Sequence, residues 1–219
     1  KQGRKEKYLW SDERAVDMAA VLERLGVKSE DLSDIEREFL GPIDRGPMLK
    51  EIDSPSTSHE RRAIIGVRLS LLVDTRPGVG LRSDGLPDIV LCAVSPSKSG
   101  QEITLEGNAG IFPQERFYIS KYPITWAQYR AFLDAPDGFT VEDWWKGLEF
   151  QVPTPGKQFN RYDNHPAENV CWREAVAFCA WLSAKLDRRI TLPTEWQWEQ
   201  AATAGEPNRE YPWGEWNSE

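Results

Sequence analysis

The side chains able to do redox or metal chemistry in this 219-residue chain are few. The three cysteines, Cys92, Cys171 and Cys179, have no CxxC spacing, and His59 and His165 are the two histidines. A His-rich metal site is hard to build from two. Cys171 and Cys179 are eight residues apart, about 12 Å along a helix axis, so one ion cannot bind both. His165 stands in "NHPAEN" and reads as a turn or packing residue ahead of a helix. Gly78 and Gly80 in "TRPGVGLRSDGLPDI" are spaced like part of a phosphate loop, but the third glycine and the Lys-Ser/Thr ending are misplaced. Nucleotide binding is therefore not expected.

Aromatic chemistry is better supplied. Ten tryptophans either build a core of large rings or provide stacking anchors on a surface. Trp196 and Trp198, in "TLPTEWQWEQAA", cannot share a helix face, because two residues turn the chain by about 200°. With Thr194 as the cap, Trp198 falls on the side of Ala201 and Ala202, which resembles a packed face. The sequence thus predicts Trp198 in the core and Trp196 clamping the "YPWGEW" loop around Trp213; burial of both in different sub-cores is the alternative.

The bulk numbers narrow the setting. A net charge of −8 argues against a nucleic-acid or anionic-membrane footprint, which needs a basic face. No stretch is apolar and long enough for a signal h-region or a membrane span. Cytoplasmic, reduced cysteines are the expectation. Lys1 in place of Met, and the turn-rich ending "YPWGEWNSE", suggest a piece of a longer protein.

Several elements must position these residues. Ala15, Met18, Ala19, Leu22 and Leu25 recur at helical spacing from a Ser11 cap to Gly26. Ser33 and Glu36 form a capping box before Ile35, Phe39 and Leu40. Residues 1–40 thus read as a helical pair, a connector. Residues 41–58, with Pro42, Pro47 and Pro55, read as a Pro/Gly/Ser linker whose "DSPSTSH" end is exposed. Residues 59–84 read as a helix with Ala63, Ile64, Val67, Leu71 and Leu72 on one side, then a turn-rich lead-in. Strands are expected at 89–95, 101–107 and 116–122, the first two joined as a hairpin through "PSKSG". Three helices follow. The first starts at a Thr125–Gln128 box, the second carries Ala175, Phe178, Cys179, Leu182 and Leu186 on its buried face, and the third starts at a Thr194–Gln197 box.

The order "FYISKYPITWAQYRAFL", "HPAENVCWREAVAFCAWLSAKL", "ITLPTEWQWEQAATAG", "YPWGEW" resembles the formylglycine-generating-enzyme family, the sulfatase-modifying-factor domains. The resemblance runs from about residue 85 to 219. It implies an α+β, C-type-lectin-like fold, incomplete here because only the N-terminal part of such a domain is present. The lead-in "RPGVGLRSDGLPDI" resembles that of domains at the end of multidomain signalling or defence proteins. The double Trp resembles the diversified ligand-binding branch more than the oxidases.

The family's oxidases convert a sulfatase cysteine to formylglycine using O2 and copper held by two cysteines of the domain's C-terminal half. That half is not in this sequence, so no residue here is carried over as catalytic or as a metal ligand. Copper or calcium would enter only through ligands supplied by that half. Iron-dependent sulfoxide synthases also use this fold, but they need clustered histidines. Cys179 matches a cysteine common in this helix and reads as a buried structural residue. Cys171 stands where the family usually has a capping Ser, leaving Glu174 to reach back to the cap N–H. Thr125, Gln128, Thr194, Gln197 and Trp198 are expected to be structural, and Trp172, Trp196, Trp213 and Trp216 are the candidate ligand contacts. The sequence favours a non-catalytic recognition or regulatory module whose partner is a protein or the rest of a longer chain. The front of a formylglycine-generating oxidase and a structural assembly element are the alternatives.

Overall fold

A computed structural model describes residues 13–41, 43–95, 103–105, 108–110, 115–160, 162–204, 209, 211 and 212. The fold is α+β, with seven helices and two small sheets among these residues. Contacts divide the chain into two compact units. One comprises Lys1–Asp88, Ile124–Arg130 and Lys157–Asn169; the other comprises Ile89–Pro123, Ala131–Gly156 and Val170–Glu219.

The first unit opens with α1 (Glu13–Arg24) and α2 (Asp34–Leu40). Gly26 ends the α1 turn at φ +74°, a conformation glycine takes without a Cβ clash. The expected Ser33 box is formed: Glu36 accepts from the Ser33 N–H at 2.8 Å, and the Ser33 hydroxyl accepts from the Glu36 N–H. Ala19, Leu40 and Ile43 make a small buried cluster, flanked by Leu22, Val27 and Leu32.

The stretch 41–58 is not a plain linker, because α3 (Arg45–Ile52) runs through it. Pro47 is the third helical residue, where no intrahelical N–H bond is lost. The turn after α3 is tied down by Arg62, which donates to the Ile52 and Ser54 carbonyls at 3.2 and 2.7 Å.

Helix α4 (His59–Leu71) buries Ile65, Arg68 and Leu69, with Leu72 just beyond. Of the face expected from the apolar spacing only Leu72 is fully buried: Ala63 is exposed, and Ile64, Val67 and Leu71 are half-buried. An arginine on the inner face hid the true stripe. Arg68 is fully buried and donates to the Leu40 carbonyl. Burial lowers its pKa to about 10.

The second unit holds β1 (Leu91–Val94), β2 (Ile103–Leu105), β3 (Asn108–Gly110) and β4 (Phe117–Ser120). The predicted β1–β2 hairpin is not formed. β1 pairs antiparallel with β4, Leu91 opposite Ser120 and Val94 opposite Phe117, while β2 pairs with β3. This unit also holds α6 (Trp172–Leu186), α7 (Glu195–Thr203) and the last part of α5 (Trp126–Asp134), whose residues up to Arg130 belong to the first unit. Phe132 is the hub of the second unit's core, with ring centroids 5.8 Å from Phe139, 5.8 Å from Phe178 and 5.4 Å from Trp181. Gly138 is required beside it, since a Cβ there would lie 1.9 Å from the Phe132 carbonyl oxygen.

Candidate functional site

The start of α6 gathers the strongest functional features of the second unit. Cys171 occupies the cap position, and its thiol makes no cap hydrogen bond. The cap is satisfied from the other side, as Glu174 accepts from the Cys171 N–H at 2.7 Å. Glu174 also accepts from the Gly156 N–H at 3.3 Å and is itself buried. A buried carboxylate spent on two backbone donors fixes both the helix start and the loop before it. On this rigid base Trp172 stands 64% exposed. Arg173, next to it, stacks over the Phe150 ring at 4.3 Å and pairs with Glu149. Phe150 is exposed too.

Helix α7 supplies a second aromatic element. The Thr194–Gln197 box is formed, with reciprocal bonds of 2.9 and 3.3 Å. Of its two tryptophans, Trp198 departs from its expected core role, while the Trp213 loop that Trp196 was expected to clamp lies outside the described residues. Trp198 is 59% exposed. Trp196 is half-buried and meets Phe117 of β4 edge-on at 6.1 Å. The reason lies in what the sheet offers. Phe117 gives Trp196 a ring to pack on, and the inward position on α7 is taken by Gln200, which is buried and donates to the Ser95 carbonyl at 2.6 Å. Gln200 is two residues from Trp198, so the helix turns Trp198 outward. Trp213 and Trp216 lie outside the described residues. No ring contact links Trp172 to Trp196 among the described residues.

Cys179 is buried on α6, and burial pushes its thiol from the ordinary 9.0 up to about 11. Cys171 and Cys92 are exposed. One inert interior thiol and one surface thiol, two helical turns apart, do not fit a two-thiolate copper site. His165 of the first unit packs on Tyr162 at 5.0 Å, and burial lowers its pKa against the smaller pull of Glu168. Among the described residues no three His, Cys, Asp or Glu side chains are placed to hold a metal.

In the first unit the Thr125–Gln128 box holds more than a helix end. Both residues are buried. Gln128 spreads its two amide donors over the carbonyls of Gly78, Gly80 and Asp88, at 3.2, 3.2 and 2.6 Å. The Thr125 hydroxyl donates to the Val79 carbonyl at 2.7 Å. Asp88 accepts from the Gly78 N–H at 2.8 Å. The lead-in loop is therefore closed on itself, and its glycines serve this closure. Asp74 is the second anchor. Burial raises its pKa, but hydrogen bonds from Arg76 and Asn164 outweigh that and hold it low. Asn164 also donates to the Gly66 carbonyl at 2.7 Å. Local spacing could not signal this contact, because Asp74 and Asn164 are 90 residues apart.

Residues 97–219 match the sulfatase-modifying factor enzyme 1-like domain, a later start than the 85 read from the lead-in. The formylglycine-generating enzyme of Mus musculus is 37% identical over 75 residues, covering 32% of this chain and 18% of that protein. The formylglycine-generating enzyme of Bos taurus is 26% identical over 132 residues, 46% of this chain and 34% of that protein. A hercynine oxygenase of Mycolicibacterium thermoresistibile is 31% identical over 121 residues, 45% and 25% respectively. The inactive C-alpha-formylglycine-generating enzyme 2 of Bos taurus is 37% identical over 75 residues. The chain spans about a fifth to a third of the length of these curated relatives.

Proposed function

The chain belongs to the sulfatase-modifying factor enzyme 1-like family, and from that premise we propose that this segment is a non-catalytic recognition or regulatory module. Its architecture on this reading is the incomplete C-type-lectin-like one, and its setting is a larger signalling or defence protein of the cytoplasm. Its partner is another protein or the remainder of its own chain. The observation that carries the reading is the exposed Trp172 on a helix start fixed by Glu174, beside the Arg173–Phe150 stack. Large aromatics and arginines held rigidly at a surface are the usual anchors of binding energy. Relatives of this family include one named inactive.

The second reading is the front of a copper-dependent formylglycine-generating oxidase acting on a sulfatase cysteine. The relatives named formylglycine-generating enzyme favour it. On that reading the metal ligands come from residues outside this sequence, and the present residues scaffold and bind substrate. A structural assembly element is the third reading.

Screening an immobilised peptide library with the full-length protein and its Trp172→Ala variant tests the proposal. Selected peptides should lose about tenfold or more in affinity with Trp172→Ala while the melting temperature is unchanged, because hot-spot truncations cost about 2 kcal/mol or more. Equal binding by both proteins would remove Trp172 from the recognition surface.

A further inference from the structure

The helical pair of the first unit carries a second apolar surface, distinct from the one on α6. On α1, Met18 and Val21 are about half-exposed, and Leu25 just beyond it is 72% exposed. The Leu25 N–H still donates to the Val21 carbonyl at 3.0 Å, so the three residues form one row at helical spacing. On α2, Ile35 is 81% exposed and Phe39 shares its face one turn on. The two helices bury their other sides in one cluster around Ala19, Leu40 and Ile43. Isolated exposed apolar residues are ordinary, but five on one packed helix pair exceed that background.

Charge selects the occupant. Residues 13–40 contain eight Asp or Glu against four Lys or Arg. Glu30, Asp31, Asp34 and Glu36 are exposed around the rows. Of the exposed cations, Arg37 is paired with Asp34 at 2.5 Å and Lys28 with Glu30 at 3.6 Å, while Arg24 stands exposed at the end of α1, so the acidic residues still outnumber the cations. A second copy of this face would set like charge against like charge. An anionic lipid surface would be repelled as well. We propose that this helix pair binds a basic amphipathic helix, whose apolar stripe covers these exposed residues and whose Lys or Arg residues meet the acidic ones.

The test uses the full chain and a fluorescent Leu/Lys amphipathic peptide of about 18 residues, or about five turns. A Leu/Glu peptide of the same pattern is the control. The Leu/Lys peptide should bind, more weakly as salt rises, and the Leu/Glu peptide should not. Leu25→Ser with Ile35→Ser should weaken binding about tenfold or more with unchanged circular dichroism. Glu30→Lys, which leaves every apolar residue in place, should weaken it as well. Equal binding of both peptides, or no loss in either variant, overturns the proposal. So does a dimer in sedimentation that the double Ser variant dissolves, because the face would then belong to a second copy.

Discussion

Helices α5 and α7 begin with the same letters, Thr-x-x-Gln, and the same reciprocal pair of hydrogen bonds. Their surroundings differ. At α5 both box residues are buried, and Gln128 spends its amide donors on three loop carbonyls. At α7 Thr194 is exposed, and its box does no more than cap. The aromatics on the two helices differ in the same sense. Phe132 on α5 is enclosed by three rings, while Trp198 on α7 faces solvent. The contrast teaches that a local motif fixes local geometry, whereas its energetic weight comes from partners distant in sequence.

The largest break in this contrast should come from Phe132→Ala, which removes the hub of an aromatic core. A loss of about 3–5 kcal/mol is expected in urea denaturation. Gln128→Ala should follow, at about 3 kcal/mol, because it takes the amide donor from the Gly78 and Asp88 carbonyls and removes half of the capping box. Hydrogen exchange should speed up across residues 78–88, and unchanged protection there would show that the loop closes without Gln128.

Cys179 on α6 belongs with α5 in this comparison. Its folded pKa, about 11, lies above the ordinary 9.0. The neutral buried thiol therefore contributes stability below pH 9, and this is lost as pH rises from 9 to 11. The loss should be about 2–3 kcal/mol, seen as a steeper alkaline decline in wild type than in Cys179→Ala. Parallel curves would mean that water reaches the thiol. The smallest effects belong to α7. Thr194→Ala should cost about 1 kcal/mol as an exposed cap, and Trp198→Ala less than about 0.5 kcal/mol as a surface substitution. A Trp198→Ala loss as large as that of Phe132→Ala would restore the core role its helical side first suggested.

The legible parts of the molecule are those encoded within a few residues. The boxes at Ser33, Thr125 and Thr194 could be read directly, as could the reach of Glu174 back to the cap left empty by Cys171. Helix α3 was hidden because Pro47 signals a linker unless its place in a first turn is known. The inner face of α4 was hidden because Arg68 breaks the apolar pattern, and only the Leu40 carbonyl explains its burial. The pairing of β1 with β4 follows from register across a long intervening segment, which no turn signal announces. The outward turn of Trp198 depended on Gln200 and Phe117, and helical angle alone could not choose between the rings.

The central proposal is that the protein bearing these residues recognises a partner and does not oxidise a sulfatase cysteine. The most direct test incubates the native full-length protein with Cu(I), O2 and a cysteine-bearing peptide from a sulfatase, and reads the peptide by mass spectrometry. The account predicts that the cysteine is recovered intact. Its conversion to formylglycine would contradict the account and establish the oxidase reading.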